Sequence, residues 1–278
     1  MARRRLDAEL VRRGLARSRE QAQEFIAAGS VTVKGNVANK PATQVDTSDP
    51  VEVVLADGHG YVSRGAVKLN GALDAFPSIR VDGRSCLDAG ASTGGFTQVL
   101  LERGAARVLA VDVGYGQLAW PIRTDERVVV MERTNIRTLT ANDVEFLADL
   151  LVADLSFISL ALVLPAIVAC SAEHADFVIM VKPQFEVGRE AVGDGVIRDP
   201  LIRTAAVHSV ADRALALGLG IAGVVASPLP GPSGNVEYFL WLQRGQGGKA
   251  VDEAPRPDHL RDDELRQAIQ QAVEEGPQ

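Results

Sequence analysis

Residues Ser85–Phe96 read SCLDAGASTGGF and constrain this chain more than any other stretch. A short apolar run ends at Asp88, and a tight turn with Gly90, Gly94 and Gly95 follows. From Phe96 to Arg103 the spacing of Phe96, Val99, Leu100 and Arg103 predicts a helix. Strand, glycine-rich loop and helix is how a doubly wound α/β fold builds a ligand crevice. Glycines let backbone approach a ligand or take positive φ, and the helix N-terminus offers unpaired N–H donors. The spacing is D-x-G-x-x-x-G-G, not the G-x-G-x-x-G of a dinucleotide loop. A second apolar strand, Arg107–Asp112, ends in an acid at the distance expected of a ribose-binding carboxylate.

Strand and helix signals alternate from there on. Strands are predicted at Ser85–Asp88, Arg107–Asp112, Val128–Met131, Leu150–Asp154, Phe177–Lys182, Ile221–Ser227 and Val236–Leu242. Helices are predicted between them, including Leu160–Ala169 and Arg203–Leu217, and one before them at Ser63–Phe76, capped by Ser63. Near-continuous apolar strands argue a buried, mostly parallel sheet covered by helices. The turn-rich Ser227–Asn235 makes the last strand an antiparallel neighbour. Residues 244–278 read as a polar tail with some helix at Leu260–Val273.

Residues 1–59 read as a separate small unit. Leu6–Gly14 has helical spacing. Ser18 and Gln21 form a capping box for Arg19–Ala28, Val31–Val33 and Val37 flank a Lys34-Gly35-Asn36 turn, and Val51–Leu55 is a further strand. Charge is uneven. The whole chain carries −7, yet nine bases and four acids over residues 1–40 give +5 and leave −12 for the rest. A basic arm on an acidic body points to a polyanion partner. The junction Asp57–Val62, DGHGYV, reads as a flexible linker, taken as residues 60–64 before a second domain at 65–243. The longest apolar run, Leu160–Cys170, is too short to span a bilayer, and no signal peptide is visible. Cys86 and Cys170 stand in apolar surroundings as buried thiols of a reducing compartment, so a cytoplasmic protein is expected. The four histidines form no metal-ligand pattern.

Three ionisable residues stand at strand ends: Asp154 after LLVA, Lys182 after FVIMV and Glu237 at the start of VEYFLWL. An antiparallel last strand puts Glu237 at the same sheet edge as the other two. Lys68, on the helix before the sheet, reads on its own segment as solvated, but it can reach that edge. Two lysines and two carboxylates converging is not a core motif, since buried lysine is costly unless paired.

The first loop resembles that of S-adenosylmethionine (SAM) methyltransferases. Lys68, Asp154, Lys182 and Glu237, in this order, resemble the K-D-K-E tetrad of ribose 2′-O-methyltransferases of the FtsJ type. The words SRGAVKL, LDAGASTGGF, ADLSFISL, VKPQFE and GNVEYFLWL match as well. The stretch RLDAELVRRGLARSREQAQEFIAAGSVTVKG resembles the S4 RNA-binding domain, named after small-subunit ribosomal protein four. Together they resemble the TlyA family of rRNA methyltransferases, also described as haemolysins, over roughly residues 1–243. One departure is the linker, where His59-Gly60-Tyr61-Val62 stands in place of an R-x-W-type stretch.

The resemblance implies a Rossmann-like seven-stranded SAM-dependent methyltransferase with a small α+β S4-like domain. The implied substrates are 2′-hydroxyls of cytidines in 16S and 23S rRNA. Lys182 is the candidate base, Lys68 orients the hydroxyl, and Asp154 and Glu237 hold the lysines. A lysine serves as base only where burial or a cationic neighbour favours its neutral form. A sulfonium methyl is already activated, so the reaction calls for no metal. The expected SAM contacts are Asp88, Gly90, Ala91, Ser92, Thr93, Gly94, Gly95, Phe96, Asp112, Val113 and Asn135. Asn135 reads equally as a turn residue. The expected RNA contacts are Arg3, Arg4, Arg5, Arg17, Arg19, Lys40, Arg64, Arg133 and Arg137. Phe157 is open to stacking on a base or to core packing, Ser156 to a helix cap, and Pro183–Pro200 to a mobile lid or a surface loop. Two other classes compete: a membrane-active pore-former, and a non-catalytic rRNA-binding assembly factor.

Overall fold

The computed structural model describes residues 3–16, 18–27, 30–53, 60–188, 195–245 and 259–277. Arg17, the end of the Val51–Leu55 strand, the first part of the junction and the middle of the Pro183–Pro200 loop lie outside them.

In the N-terminal unit, helices α1 (Leu6–Arg12) and α2 (Arg19–Ala27) pack by Leu6, Leu10, Ala22 and Ile26, all essentially inaccessible. Ser18 Oγ accepts the Gln21 N–H at 3.2 Å, the cap bond expected there. Three strands follow: β2 (Val31–Val33), β3 (Asn36–Val37) and β5 (Val51–Val53), with β2 paired antiparallel to both others. One element is unexpected. Arg3–Arg5 form strand β1, antiparallel to β4 (Gln44–Asp46) in the register Arg3↔Asp46 and Arg5↔Gln44. Three consecutive arginines give no apolar alternation, so no strand signal exists in the sequence. The pairing comes from the partner strand.

The larger unit holds a seven-stranded sheet of order β8-β7-β6-β9-β10-β12-β11. Strands β6 (Ser85–Ala89), β7 (Arg107–Val111), β8 (Val128–Met131), β9 (Ala148–Ala153) and β10 (Ser171–Val181) are mutually parallel. Strand β12 (Tyr238–Arg244) runs antiparallel between β10 and β11 (Leu219–Ala226). The antiparallel last strand is as expected. Strand β10 starts earlier than the apolar run, through the polar Ser171–Asp176 and a register shift. The strand order reverses between β6 and β9, which is where a crevice opens at the carboxyl ends.

Helices α3 (Arg64–Ala75), α4 (Gly95–Glu102), α5 (Trp120–Arg123), α6 (Leu164–Ala169), α7 (Pro183–Glu186), α8 (Pro200–Ala216) and α9 (Asp262–Glu275) complete the unit. Leu160–Leu162 is a separate 3-10 turn, so the helix predicted at Leu160–Ala169 begins later, at Leu164, with Pro165 in its first turn. Helix α9 is no loose tail. Leu265, Ile269, Ala272 and Val273 are buried in the same core as Ile221 and Val210.

Ser63 precedes α3, but its side chain makes no cap bond; its Oγ lies against Gly95, where a Cβ has no room. Gly60–Val62 are fastened rather than free. Val62 N–H donates to Gln98 Oε1 at 2.8 Å, Gln98 Nε2 donates to the Gly60 carbonyl at 3.3 Å, and Tyr61 Oη accepts from Asn70 Nδ2. The junction therefore grips α4, the helix that follows the glycine loop.

Candidate active site

Register places the charged residues. Val181 pairs with Tyr238 across β10 and β12, so Lys182 and Glu237, one step beyond that pair, emerge together at the sheet edge. Asp154 follows β9, its N–H bonded to the Ala89 carbonyl at 3.0 Å. Lys68 lies on the buried side of α3 with Ala66, Leu69, Ala72 and Leu73. It is 6% exposed and not solvated. Its Nζ is 2.5 Å from Glu237 Oε2, and Glu237 is 1% exposed. Lys182 Nζ lies 2.5 Å from Asp154 Oδ1 and donates to Ser156 Oγ at 2.9 Å. The four expected side chains thus form two lysine–carboxylate pairs. Gly231 makes room for Glu237, because a Cβ there would lie 2.7 Å from its Oε1.

Segments after β9 and β10 are knitted together. Glu186 accepts from Ser159 Oγ at 2.7 Å and from the Leu160 N–H at 2.9 Å. Burial pushes its carboxyl above the usual range. Ser159, not Ser156, caps the 3-10 turn. Phe157 is 91% exposed with φ of 63°, its ring 5.1 Å from that of Phe185. Core packing is therefore excluded for Phe157. A bulky residue held at positive φ and in solvent is a strained position that folding alone does not require. The far end of the Pro183–Pro200 loop is pinned: Asn235 Oδ1 accepts the Ile197 N–H and its Nδ2 donates to the Gly195 carbonyl, both at 2.8 Å.

The glycine loop sits at the crevice. Gly90 has φ of +88°, and a Cβ there would lie 2.6 Å from the Asp154 carbonyl oxygen, so only glycine lets the two strand ends approach. Beside it a shallow open cleft is lined by Ala91, Ser92, Ala110, Asp112, Gly114, Gln117, Leu118, Val130 and Glu132. Asp112 accepts the N–H groups of Ser92 (2.8 Å) and Gly114 (2.6 Å), one on each oxygen, and each oxygen keeps a lone pair.

Of the residues expected to hold the methyl donor, Ala91, Ser92 and Asp112 line this cleft. Asp88 does not. It is inaccessible beneath the loop, one oxygen accepting from Thr97 Oγ1 at 2.7 Å and the other without a partner. Burial, with Asp154 and Asp112 adding repulsion, raises its carboxyl to about 7. Phe96 is 3% exposed and packs against Phe239, a core residue and not a ligand surface. Thr93 and Gly94 support the loop: the Thr93 carbonyl accepts the Ala119 N–H, and Gly94 at φ of +96° precedes α4 beside Leu118 and Ile122. Val113 is 75% exposed and outside the cleft lining. Asn135 Oδ1 accepts the Arg137 N–H at 3.1 Å, the turn role left open for it. Gln117, Leu118 and Glu132 were missed. Glu132 had a signal: it follows β8 as Asp112 follows β7.

The expected RNA contacts among the described residues share one setting. Arg3, Arg4, Arg5, Arg19, Lys40, Arg64, Arg133 and Arg137 are exposed. Arg133 lies over the Tyr115 ring at 4.1 Å, and Arg64 Nη2 donates to the Pro230 carbonyl at 3.3 Å.

A reversed strand order, a glycine loop after β6, an acid after β7 and paired lysines and carboxylates at the carboxyl edge define a Rossmann-like methyltransferase. The chain belongs to the FtsJ-like methyltransferase family, whose model matches residues 61–244, and it carries an S4 domain matched at residues 4–51. It is 59% identical to 16S/23S rRNA (cytidine-2′-O)-methyltransferase TlyA of Mycobacterium tuberculosis over 100% of both chains. It is 37% identical to Hemolysin A of Brachyspira hyodysenteriae over 84% of this chain and 98% of that one. A solved structure described as a hemolysin from Streptococcus thermophilus has a TM-score of 0.74 and 36% identity, covering 99% of this chain and 95% of that one.

Proposed function

We propose that this enzyme methylates ribose 2′-hydroxyls of cytidines in 16S and 23S rRNA, in the cytoplasm, with SAM as methyl donor. The observation that carries the reading is the meeting of Lys68–Glu237 and Lys182–Asp154 at the crevice beside the glycine loop. The M. tuberculosis relative named for this activity supports the substrate.

The cleft fits the donor. Ala110, Leu118 and Val130 make an apolar floor for a planar base, and Asp112 and Glu132 offer acceptors for hydroxyl and amino groups. SAM supplies an activated methyl on a sulfonium. The residues of this chain do the rest. Lys182 Nζ would accept the proton that the ribose hydroxyl loses as it takes up the methyl group. Asp154 and Ser156 aim Lys182. Lys68, held by Glu237, orients the hydroxyl. Alignment of oxygen, methyl and sulfur contributes ~7–11 kcal/mol in well-oriented systems. Phe157 offers a platform for a base turned out of its stack, and base–aromatic stacking contributes ~1–3 kcal/mol. The exposed arginines supply phosphate contacts that position without reading sequence.

The test is methyl transfer from labelled SAM to purified small and large subunits lacking the modification, followed by mapping of 2′-O-methyl groups. Label on cytidine ribose in both subunits supports the reading. Label on one subunit narrows it, and label on a base defeats it. As for the haemolysin name of some relatives, no helix among the described residues is long and apolar enough to cross a membrane. Leakage of liposomes by purified protein without methyl transfer would favour that class.

A further inference from the structure

Helix α1 carries two buried carboxylates, and they hold their arginines differently. Glu9 binds Arg12 and Arg13, and Arg13 goes on to donate to the carbonyls of Asp46, Thr47 and Asp49. Its side chain is only 19% exposed. That arginine is spent on the fold of its own unit. Asp7 is different. It is inaccessible, yet both of its arginines are half in solvent, Arg5 at 46% and Arg19 at 54%.

Asp7 Oδ1 accepts Arg5 Nε at 3.1 Å and the Ala8 N–H at 2.8 Å. Its Oδ2 accepts Arg5 Nη2 and Arg19 Nη2, each at 2.9 Å, and Gln23 Nε2 at 3.4 Å. The hydrogen bond from Arg5, ahead of all other influences, holds the carboxyl far below the usual range. Two guanidiniums, one at the end of β1 and one at the start of α2, therefore share one oxygen. Arg5 gives two of its five N–H donors to Asp7 and Arg19 gives one, leaving three and four not spent on that carboxylate. A free arginine loses rotamer freedom when it binds a phosphate; these two have lost it already.

We propose that Asp7 is a positioning residue for the RNA substrate: it sets Arg5 and Arg19 side by side so that both meet backbone phosphates in one register. This rests on the rRNA reading above. The sign of one substitution separates positioning from plain attraction. Asp7→Asn makes the basic arm more positive. Attraction alone then predicts tighter binding to a polyanion, whereas positioning predicts weaker binding.

The experiment measures equilibrium binding of full-length protein to purified small and large ribosomal subunits across a salt series. Absence of binding by the unsubstituted protein defeats the rRNA reading and this inference with it. Given binding, Asp7→Asn is expected to weaken it about tenfold, the size of one lost charge-assisted contact, with a shallower salt slope. Asp7→Glu keeps the charge but shifts it by a methylene, and it is expected to weaken binding too. In an Arg5→Ala, Arg19→Ala background, Asp7→Asn is expected to change nothing further, since no guanidinium is left to hold. SAM affinity stays constant throughout. Unchanged or tighter binding by Asp7→Asn overturns the inference. So does an equal loss in the background lacking Arg5 and Arg19, which marks a role in folding alone.

Discussion

Lys68→Met removes the ammonium that faces Glu237 while keeping most of the aliphatic volume. Lys68 is 6% exposed and Glu237 1%, and the pair is 2.5 Å apart. Breaking such a pair strands a buried charge, at a cost of ~3–5 kcal/mol, whereas an exposed pair is worth ~0–1 kcal/mol. Glu237→Gln strands the lysine in turn and costs about as much. Lys68→Met with Glu237→Gln leaves two neutral groups, and its cost falls to ~1–2 kcal/mol for an amide short of one hydrogen bond. The double variant is thus expected to be more stable than either single one, with a coupling of at least ~4 kcal/mol. Urea unfolding followed by tryptophan fluorescence measures this. Both tryptophans, Trp120 and Trp241, lie in the larger unit, so the signal reports that unit alone. Methyl transfer falls in all three variants and does not return in the double one. Additive losses within ~0.5 kcal/mol would refute a desolvated pair.

Three further outcomes follow from the geometry. Asp88 holds its proton up to about pH 7 in the folded chain, so the folded state binds more protons than the unfolded state from pH 4 to 7 and stability falls as pH rises through that window. Asp88→Asn removes up to ~4 kcal/mol of that slope, so its advantage over the parent in urea midpoint grows from pH 5 to pH 8; a shrinking advantage contradicts the burial argument. Gly90→Ala forces a Cβ against the Asp154 carbonyl at positive φ, and calorimetric SAM binding is expected to drop about 5- to 150-fold, ~1–3 kcal/mol of strain; parent-like affinity would show that the loop has slack. Phe157→Ala lowers kcat/KM for ribosomal subunits by about tenfold and leaves SAM affinity alone, as loss of one stacking surface requires; an unchanged kcat/KM removes the platform role.

Much of the sheet was legible because buried parallel strands announce themselves as apolar runs, and Asp88, Asp112, Asp154 and Lys182 stand where those runs stop. Their consequences were less legible. Lys68 looks solvated on its own helix, because its partner lies 169 residues away and is set by β10–β12 register. Asp88 and Phe96 belong to the glycine-loop signature, yet they support the loop from below, and a motif does not say which of its side chains face the ligand. Strand β1 was invisible for lack of apolar alternation. Helix α9 did carry a signal, with Leu265, Ile269, Ala272 and Val273 at helical spacing, but its charged remainder reads as a tail. Gly60–Val62 look flexible by composition and are held instead by Gln98 and Asn70 on the neighbouring helices.

The central claim is that Lys182 takes the proton from a ribose hydroxyl at this crevice. Its most direct test is Lys182→Ala, with labelled-methyl transfer to unmodified ribosomal subunits and SAM binding measured on the same preparation. The account predicts transfer reduced at least ~100-fold, as loss of a general base requires, with SAM affinity within about twofold of the parent. Transfer at the parent's rate would contradict it.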